Sequence, residues 1–232
     1  MNYSPQAVAE LADIVRSTAE TRSALTPVGA GTQLDLGNPP TRGDAAIELG
    51  GLNRIVEYAP EDQVIVVEAG MRIADLQAHA AKAGQRLAID PAGGQRMSVG
   101  GLLATNAYGP SALRYGTAKD LLLGIEIVRA DGVVAHAGGK VVKNVAGFDL
   151  SKMMVGSLGT LGIITKASFR MHPMPESRAT IALRMGVANV FPFVLAMRDC
   201  QLEPSALAAD LNGGSATLRV TFEGFEPGVA AQ

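Results

Sequence analysis

The sequence predicts an α+β protein, and three observations predict it. Strand-like and helix-like patterns alternate from the N-terminus to about Ile89, which is the mark of α/β layering. Between Leu121 and Arg170 the pattern turns to hairpins, with Asp131-Gly132 set between two apolar alternating runs. Beyond His172-Pro-Met-Pro-Glu176 the order reads strand, helix, strand, strand, which is most of a split β-α-β unit.

Taking the elements in order, Ser4-Pro5 has the form of a helix cap followed by proline at the first helical position. Val8, Leu11, Ala12, Val15 and Ala19 then recur at helical spacing, so a first helix is expected from Pro5 to about Arg22. Leu25–Val28, Ala45–Leu49 and Val64–Val67 read as strands, the first of them running into Gly29-Ala-Gly31. Ile73, Leu76 and Ala80 mark a second helix that Gly84 closes, and Arg86–Ile89 leads to the turn at Asp90-Pro91. Leu123–Arg129 and Val133–Ala137 form the hairpin, and Gly162–Arg170 is a further strand. The paired prolines at 173 and 175 suit neither a helix nor a central strand and set a boundary, giving residues 1–175 and 176–232 as two units. In the second unit Ala179–Arg184, Ser205–Leu211 and Thr217–Glu223 are strands and Val190–Cys200 is a helix. Pro227 onward carries no clear element, so this unit reads as truncated, with an exposed sheet edge that favours self-association.

Composition excludes several function classes. The 232 residues are 47% hydrophobic and 18% charged, which describes a globular chain rather than a disordered one. A net charge of −2 leaves no basic footprint for nucleic acid. The single cysteine, Cys200, permits no intrachain disulfide, and neither a signal-type opening nor an apolar run of membrane length is present. The expectation is a cytoplasmic protein that meets membranes only through partners.

Glycine carries the functional signal. Gly29-Ala-Gly31-Thr-Gln-Leu34 resembles the start of a dinucleotide fingerprint, but Leu34 replaces the third glycine and no helix pattern follows, which argues against a nicotinamide Rossmann site. A tight turn after a strand still presents successive N–H groups to a phosphate, with the Thr32 hydroxyl as a further donor. The second cluster, Pro91 to Gly116, sets Ser98, Thr105, Asn106 and Arg114 among the pairs Gly93-Gly94 and Gly100-Gly101. The third runs from Lys143 through Asp149 to Gly156-Ser-Leu-Gly159-Thr-Leu-Gly162, where close packing is the competing explanation for glycines three apart.

Together these clusters resemble the vanillyl-alcohol oxidase-like family, with its PCMH-type FAD-binding domain of two α/β subdomains followed by a ferredoxin-like cap. The resemblance covers about residues 1–175, and the FAD-binding subunits of bacterial glycolate oxidase are the nearest members, with D-lactate and D-2-hydroxyglutarate dehydrogenases further off. It rests on Pro27-Val-Gly-Ala-Gly-Thr, Asp90-Pro91, Ser98-Val-Gly-Gly-Leu-Leu-Ala-Thr-Asn-Ala, Arg114-Tyr-Gly, Lys143-Asn-Val-Ala-Gly-Phe-Asp-Leu and Gly156-Ser-Leu-Gly-Thr-Leu-Gly-Ile-Ile-Thr.

The resemblance implies that Gly29, Ala30, Gly31 and Thr32, flanked by Pro27, Val28 and Gln33, hold the FAD pyrophosphate. Pro91 and the run Ser98, Val99, Gly100, Gly101, Ala104, Thr105, Asn106 and Gly109 pass the phosphates and flavin. Gly156, Gly159, Thr160, Gly162 and Ile163 face the adenine side, and Arg114, Tyr115, Gly116 and Lys143 stand on the flavin or substrate side. None of His79, His136, His172 and Cys200 matches a position of covalent attachment, so the FAD is expected to be noncovalent, and no metal cluster is legible. The implied activity is oxidation of a small 2-hydroxy acid, such as glycolate or D-lactate, by hydride transfer to FAD. Electrons would then pass to partner subunits, among them an iron–sulfur subunit. A non-catalytic FAD-binding or assembly module is the alternative, because family members continue well beyond this length. A family reaction on a sugar or aromatic alcohol is a further alternative that changes only the substrate, and the aromatic content of 4% mildly disfavours an aromatic-lined pocket.

Overall fold

The computed structural model describes residues 1–139 and 150–232. At the N-terminus β1 (Asn2–Tyr3), β2 (Leu25–Val28) and β3 (Ala45–Glu48) form a parallel sheet in the order β1-β3-β2. Helix α1 (Val8–Glu20) covers it, burying Leu11, Ala12 and Val15 in one cluster with Ile47, Leu49 and Leu52. The helix starts three residues later than Ser4-Pro5 suggests. Pro5 is buried with its carbonyl turned toward Gly51, and the Ser4 hydroxyl reaches Glu48 at 3.5 Å instead of capping. No side chain caps the helix at Ala7; Glu10 in the first turn accepts the N–H of the preceding Gln6 at 2.7 Å.

The largest sheet has five antiparallel strands in the order β4-β5-β9-β7-β8. Of these, β4 (Ile55–Ala59) and β5 (Val64–Glu68) come first in the chain, followed by α2 (Ile73–Ala81) and the two-residue β6 (Gln85–Arg86). Then come α3 (Val99–Thr105), α4 (Ala112–Tyr115), α5 (Ala118–Leu121), β7 (Leu122–Val128) and β8 (Val134–Gly138). After α6 (Leu150–Met154) and β9 (Ile163–Arg170), β10 (His172–Pro173) pairs with β6. The expected hairpin is β7–β8, where Asp131 accepts the Val133 N–H at 3.1 Å and Gly132 takes a left-handed φ of 74°. Ile65, Val67 and Phe169 of the sheet bury against Leu76 of α2 and Leu102 and Leu103 of α3, forming the main core.

Strand β4 carries no clear sequence pattern, since only Ile55 and Tyr58 pack inward while its middle is exposed. His172-Pro173 lies in neither a helix nor a central strand. It forms a two-residue ladder in which Pro173 faces Gln85, and such a short ribbon tolerates a residue without an N–H.

The C-terminal elements are β11 (Ser177–Gly186), α7 (Val187–Arg198), β12 (Ala206–Asn212), β13 (Ser215–Gly224) and α8 (Glu226–Ala231). The antiparallel order β11-β13-β12 puts β13 between two strands joined through a helix, as a split β-α-β unit requires. Leu218, Val220 and Phe222 of β13 pack on Met197 of α7. The stretch at Pro227 is α8, with the proline in the first turn where its missing N–H costs nothing.

Candidate glycine-lined cofactor site

Strand β2 delivers the chain into the turn at Gly29, and that turn lies directly on the start of α3. A Cβ on Gly29 would run into Ser98 Oγ, so the backbone there approaches the helix as closely as only glycine permits. Gly31 holds a left-handed φ of 69° with little around it but the Leu34 side chain at 3.8 Å. Among the described residues no acceptor takes the backbone N–H groups of Gly29, Ala30, Gly31 or Thr32. Consecutive unspent donors in a turn form a concavity with positive potential, suited to an anion.

The second glycine run, in α3, spends its donors within the chain. Ser98 caps the helix by accepting the Gly101 N–H at 3.2 Å. Val99 N–H donates to the Met71 carbonyl at 2.9 Å and Gly100 N–H to that of Ala69 at 2.7 Å. A Cβ on Gly100 would stand 3.1 Å from the Cβ of Ala69, so this glycine serves close packing. The Thr105 hydroxyl turns back to the Gly101 carbonyl at 2.8 Å. Asn106 ends the helix in a left-handed conformation with φ 47°, and Ala107 N–H reaches the Leu102 carbonyl at 3.2 Å in a Schellman-type closure.

The third run closes the site from the other side. Gly156 N–H donates to the Leu103 carbonyl at 2.9 Å, which also accepts the Asn106 N–H, and Leu158 N–H donates to the Ala104 carbonyl at 2.8 Å at the end of α3. Gly156, Leu158 and Gly159 are all left-handed, and a Cβ on Gly159 would stand 3.0 Å from Pro27. Thr160 Oγ1 holds the Ser157 carbonyl at 2.7 Å, Gly162 lies against the Val128 carbonyl, and Ile163 is buried at the start of β9. Pro27–Thr32, Ser98–Asn106 and Gly156–Ile163 are thus brought together.

Two buried atoms at this meeting point, Asn106 Oδ1 and Ser157 Oγ, have no partner among the described residues. Buried polar groups are almost always paired, so their state points to a polar ligand at this place. Leu34, Leu158 and Leu161 are exposed beside it and offer apolar surface to a flat ring.

The remaining candidates form a separate group organised by Asp90, whose carboxylate accepts the Ser111 N–H at 3.0 Å and the Ser111 hydroxyl at 2.8 Å. Gly109 lies against the Asp90 carbonyl, Pro91 packs on Gly94, and Gly116, with φ 77°, sits over Asp120. The Thr117 backbone N–H holds the Asp120 carboxyl below its ordinary range. Arg114 lines a cavity of about 550 Å³ together with Val194, Met197 and Leu207, while Tyr115 turns to Arg86 and Glu223. Gln33 sits in the turn after Thr32, with its carbonyl accepting the Leu36 N–H at 3.2 Å. Lys143 and Asp149 lie outside the described residues.

Sequence reasoning missed the parts played by Asp90, Ser111 and Ser157, although all three lie in or beside motifs it singled out. Glu223 had no local signal, since its partners are 108 and 137 residues away. Among the described residues no three or more His, Cys, Asp or Glu side chains group as a metal site, and no helix is long and apolar enough to cross a membrane.

Comparison with known proteins adds a family and a fold. Residues 3–138 match the model of a family described as FAD binding domain. The chain is 34% identical over 177 residues to glycolate oxidase subunit GlcD of Bacillus subtilis, covering 76% of this chain and 38% of that protein. It is 36% identical over 176 residues to a probable mitochondrial D-lactate dehydrogenase of Danio rerio, covering 75% and 35%. It is 30% identical over 202 residues to D-2-hydroxyglutarate dehydrogenase of Xanthomonas citri, covering 87% and 43%. The chain therefore spans well under half the length of these relatives. A solved structure of alkyldihydroxyacetonephosphate synthase superposes on 99% of the chain and 48% of its own, with a TM-score of 0.84 at 18% identity, which establishes the α+β fold.

Proposed function

Because the chain belongs to the family of FAD binding domains, we propose that it forms the cofactor-holding part of a flavin-dependent 2-hydroxy-acid oxidoreductase. In this reading residues 1–175 hold FAD and residues 176–232 form part of a substrate-side cap. The observation that carries it is the meeting of three glycine runs around four N–H donors and two buried side-chain oxygens that have no partner among the described residues. Glycolate and D-lactate are the first substrates to consider, since they are the acids in the names of two relatives.

The residues divide the work by chemistry. Gly29 to Thr32 bind the pyrophosphate by directing N–H dipoles at its charges, while the Asn106 amide oxygen accepts from, and the Ser157 hydroxyl pairs with, other polar groups of the cofactor. Gly159 to Ile163 serve the adenine side, where Leu158 and Leu161 exclude water from a ring face. Arg114, with Lys143, supplies a cation for a substrate carboxylate or the flavin edge. When bound, FAD supplies the hydride acceptor; the protein binds, orients and shields. No His or Cys lies within the three glycine runs, so the cofactor is held noncovalently. The one cysteine of these 232 residues cannot hold an iron–sulfur cluster, so the reading sends electrons to a carrier outside them, and the Bacillus relative is named a subunit.

The test is the absorbance of the chain reconstituted with FAD, followed anaerobically with glycolate, D-lactate and D-2-hydroxyglutarate. Bound flavin bleached by one acid supports the oxidoreductase and selects its substrate. Bound flavin that no acid reduces supports a cofactor-binding or assembly module. Folded protein that takes up no FAD contradicts both.

A further inference from the structure

The C-terminal sheet meets the rest of the chain around one buried carboxylate. Glu223 lies near the end of β13 with its side chain 3% exposed. Arg86 grips it as a fork, Nη2 at 2.6 Å from Oε2 and Nη1 at 3.3 Å from Oε1. The same Arg86 Nη2 donates to the Tyr115 hydroxyl at 3.0 Å, and that hydroxyl lies 3.3 Å from Glu223 Oε2. Arg86 also lies over the Tyr115 ring at 5.0 Å, the His172 ring meets that ring edge-on at 5.1 Å, and Arg178 stands 3.5 Å from Oε1. Segments from β6, α4, β10 and β13 converge here, and the β6–β10 ladder, pairing Arg86 with His172, fixes where the guanidinium sits.

Burial pushes the Glu223 carboxyl up, but the hydrogen bonds and charge of Arg86 outweigh it and hold the group below its ordinary value. Burial likewise pulls Arg86 down and Glu223 pulls it further up, so both stay charged. A buried ion pair returns little net stability because desolvation consumes its attraction. What it supplies is a single allowed placement, since any shift of the sheet strands a buried charge. Tyr115 carries that placement into Arg114-Tyr115-Gly116, where the left-handed Gly116 sits on Asp120 and leaves the segment little freedom.

We propose that Glu223, acting through Arg86 and Tyr115, is a positioning residue that docks the C-terminal sheet and sets residues 114–116 in one step. Arg114 is then presented only when the sheet is seated. The functional meaning of that presentation rests on the reading of the chain as a flavoprotein; the latch itself does not.

Hydrogen exchange on the full chain without FAD tests the latch, using Tyr115→Phe, which keeps the ion pair, and Glu223→Gln, which removes its charge. Each variant should speed exchange about tenfold both at 112–116 and at 177–186, and the double variant should be no worse than the worse single one, as for residues in one network. Faster exchange on one side only, or wild-type exchange at 177–186 in Tyr115→Phe, overturns the latch, and this variant decides alone if Glu223→Gln fails to fold. With FAD added, Tyr115→Phe should shift the flavin absorbance band while its melting temperature stays near wild type. An unshifted band overturns the positioning role. A wild-type chain that exchanges as expected but binds no FAD instead overturns the flavoprotein reading and leaves the latch standing.

Discussion

The turn at Gly29–Thr32 and the helix start at Ser98–Gly101 are both glycine-rich and lie against each other, yet their backbones are in opposite states. The helix start has given its N–H groups to Met71, Ala69 and Ser98, whereas those of the turn have no acceptor among the described residues. Glycine content alone therefore does not mark a phosphate site. What marks it is glycine whose backbone donors remain unspent after folding.

Substitutions break this comparison in graded ways. Gly29→Ala should do most damage, because its Cβ meets Ser98 Oγ and displaces the cap as well; a loss of about 3 kcal/mol is expected from overpacking plus cap loss, read by chemical denaturation. Gly100→Ala should cost about 1–3 kcal/mol by pressing on Ala69, yet FAD affinity measured in the folded state should hold within about twofold. Gly31→Ala should cost about 1–2 kcal/mol from its left-handed backbone alone, and here affinity should fall with it. Asn106→Gly separates the two quantities most cleanly. It relieves a left-handed asparagine, raising stability by up to about 1 kcal/mol, and removes the unpartnered oxygen, weakening FAD.

A pH series contrasts the glycine site with the joint at Glu223. Burial first, then the Arg170 and Arg86 charges, hold His172 below its ordinary value, so it folds neutral. Stability from His172 is present above about pH 6.5 and is lost as pH falls below it. Glu223 is also depressed, so its share is present above about pH 4.5 and goes as pH falls through its lowered value. Protection factors at 177–186, corrected for the intrinsic exchange rate at each pH, should therefore fall on mild acidification while those at 98–106 hold; equal loss in both segments would contradict this division.

The parts of the fold with strong local periodicity were legible. Helix α2, the β7–β8 hairpin and the β-α-β-β order of the C-terminal unit follow from apolar spacing and from Asp131-Gly132. Strand β4 was not, because its outward face is solvated and its inward face has only two anchors. The start of α1 was misplaced because Pro5 is buried beside Gly51 ahead of the helix, which begins at Val8 without a side-chain cap. The glycine runs pointed to one site, and their convergence is what folding adds. The division of labour within them was hidden, since which N–H groups are spent depends on Ala69 and Met71, which no local pattern links to residues 98–101. The Glu223 latch was hidden for the same reason, being a tertiary pairing across 137 residues.

The most direct measurement is a side-by-side FAD titration of the wild type, Gly31→Ala and Gly100→Ala, by flavin fluorescence at a temperature where all three are folded. The wild type should bind FAD, Gly31→Ala should weaken binding about tenfold through loss of a charge-directed donor geometry, and Gly100→Ala should leave it within about twofold. Equal weakening in both variants, or more in Gly100→Ala, would contradict this.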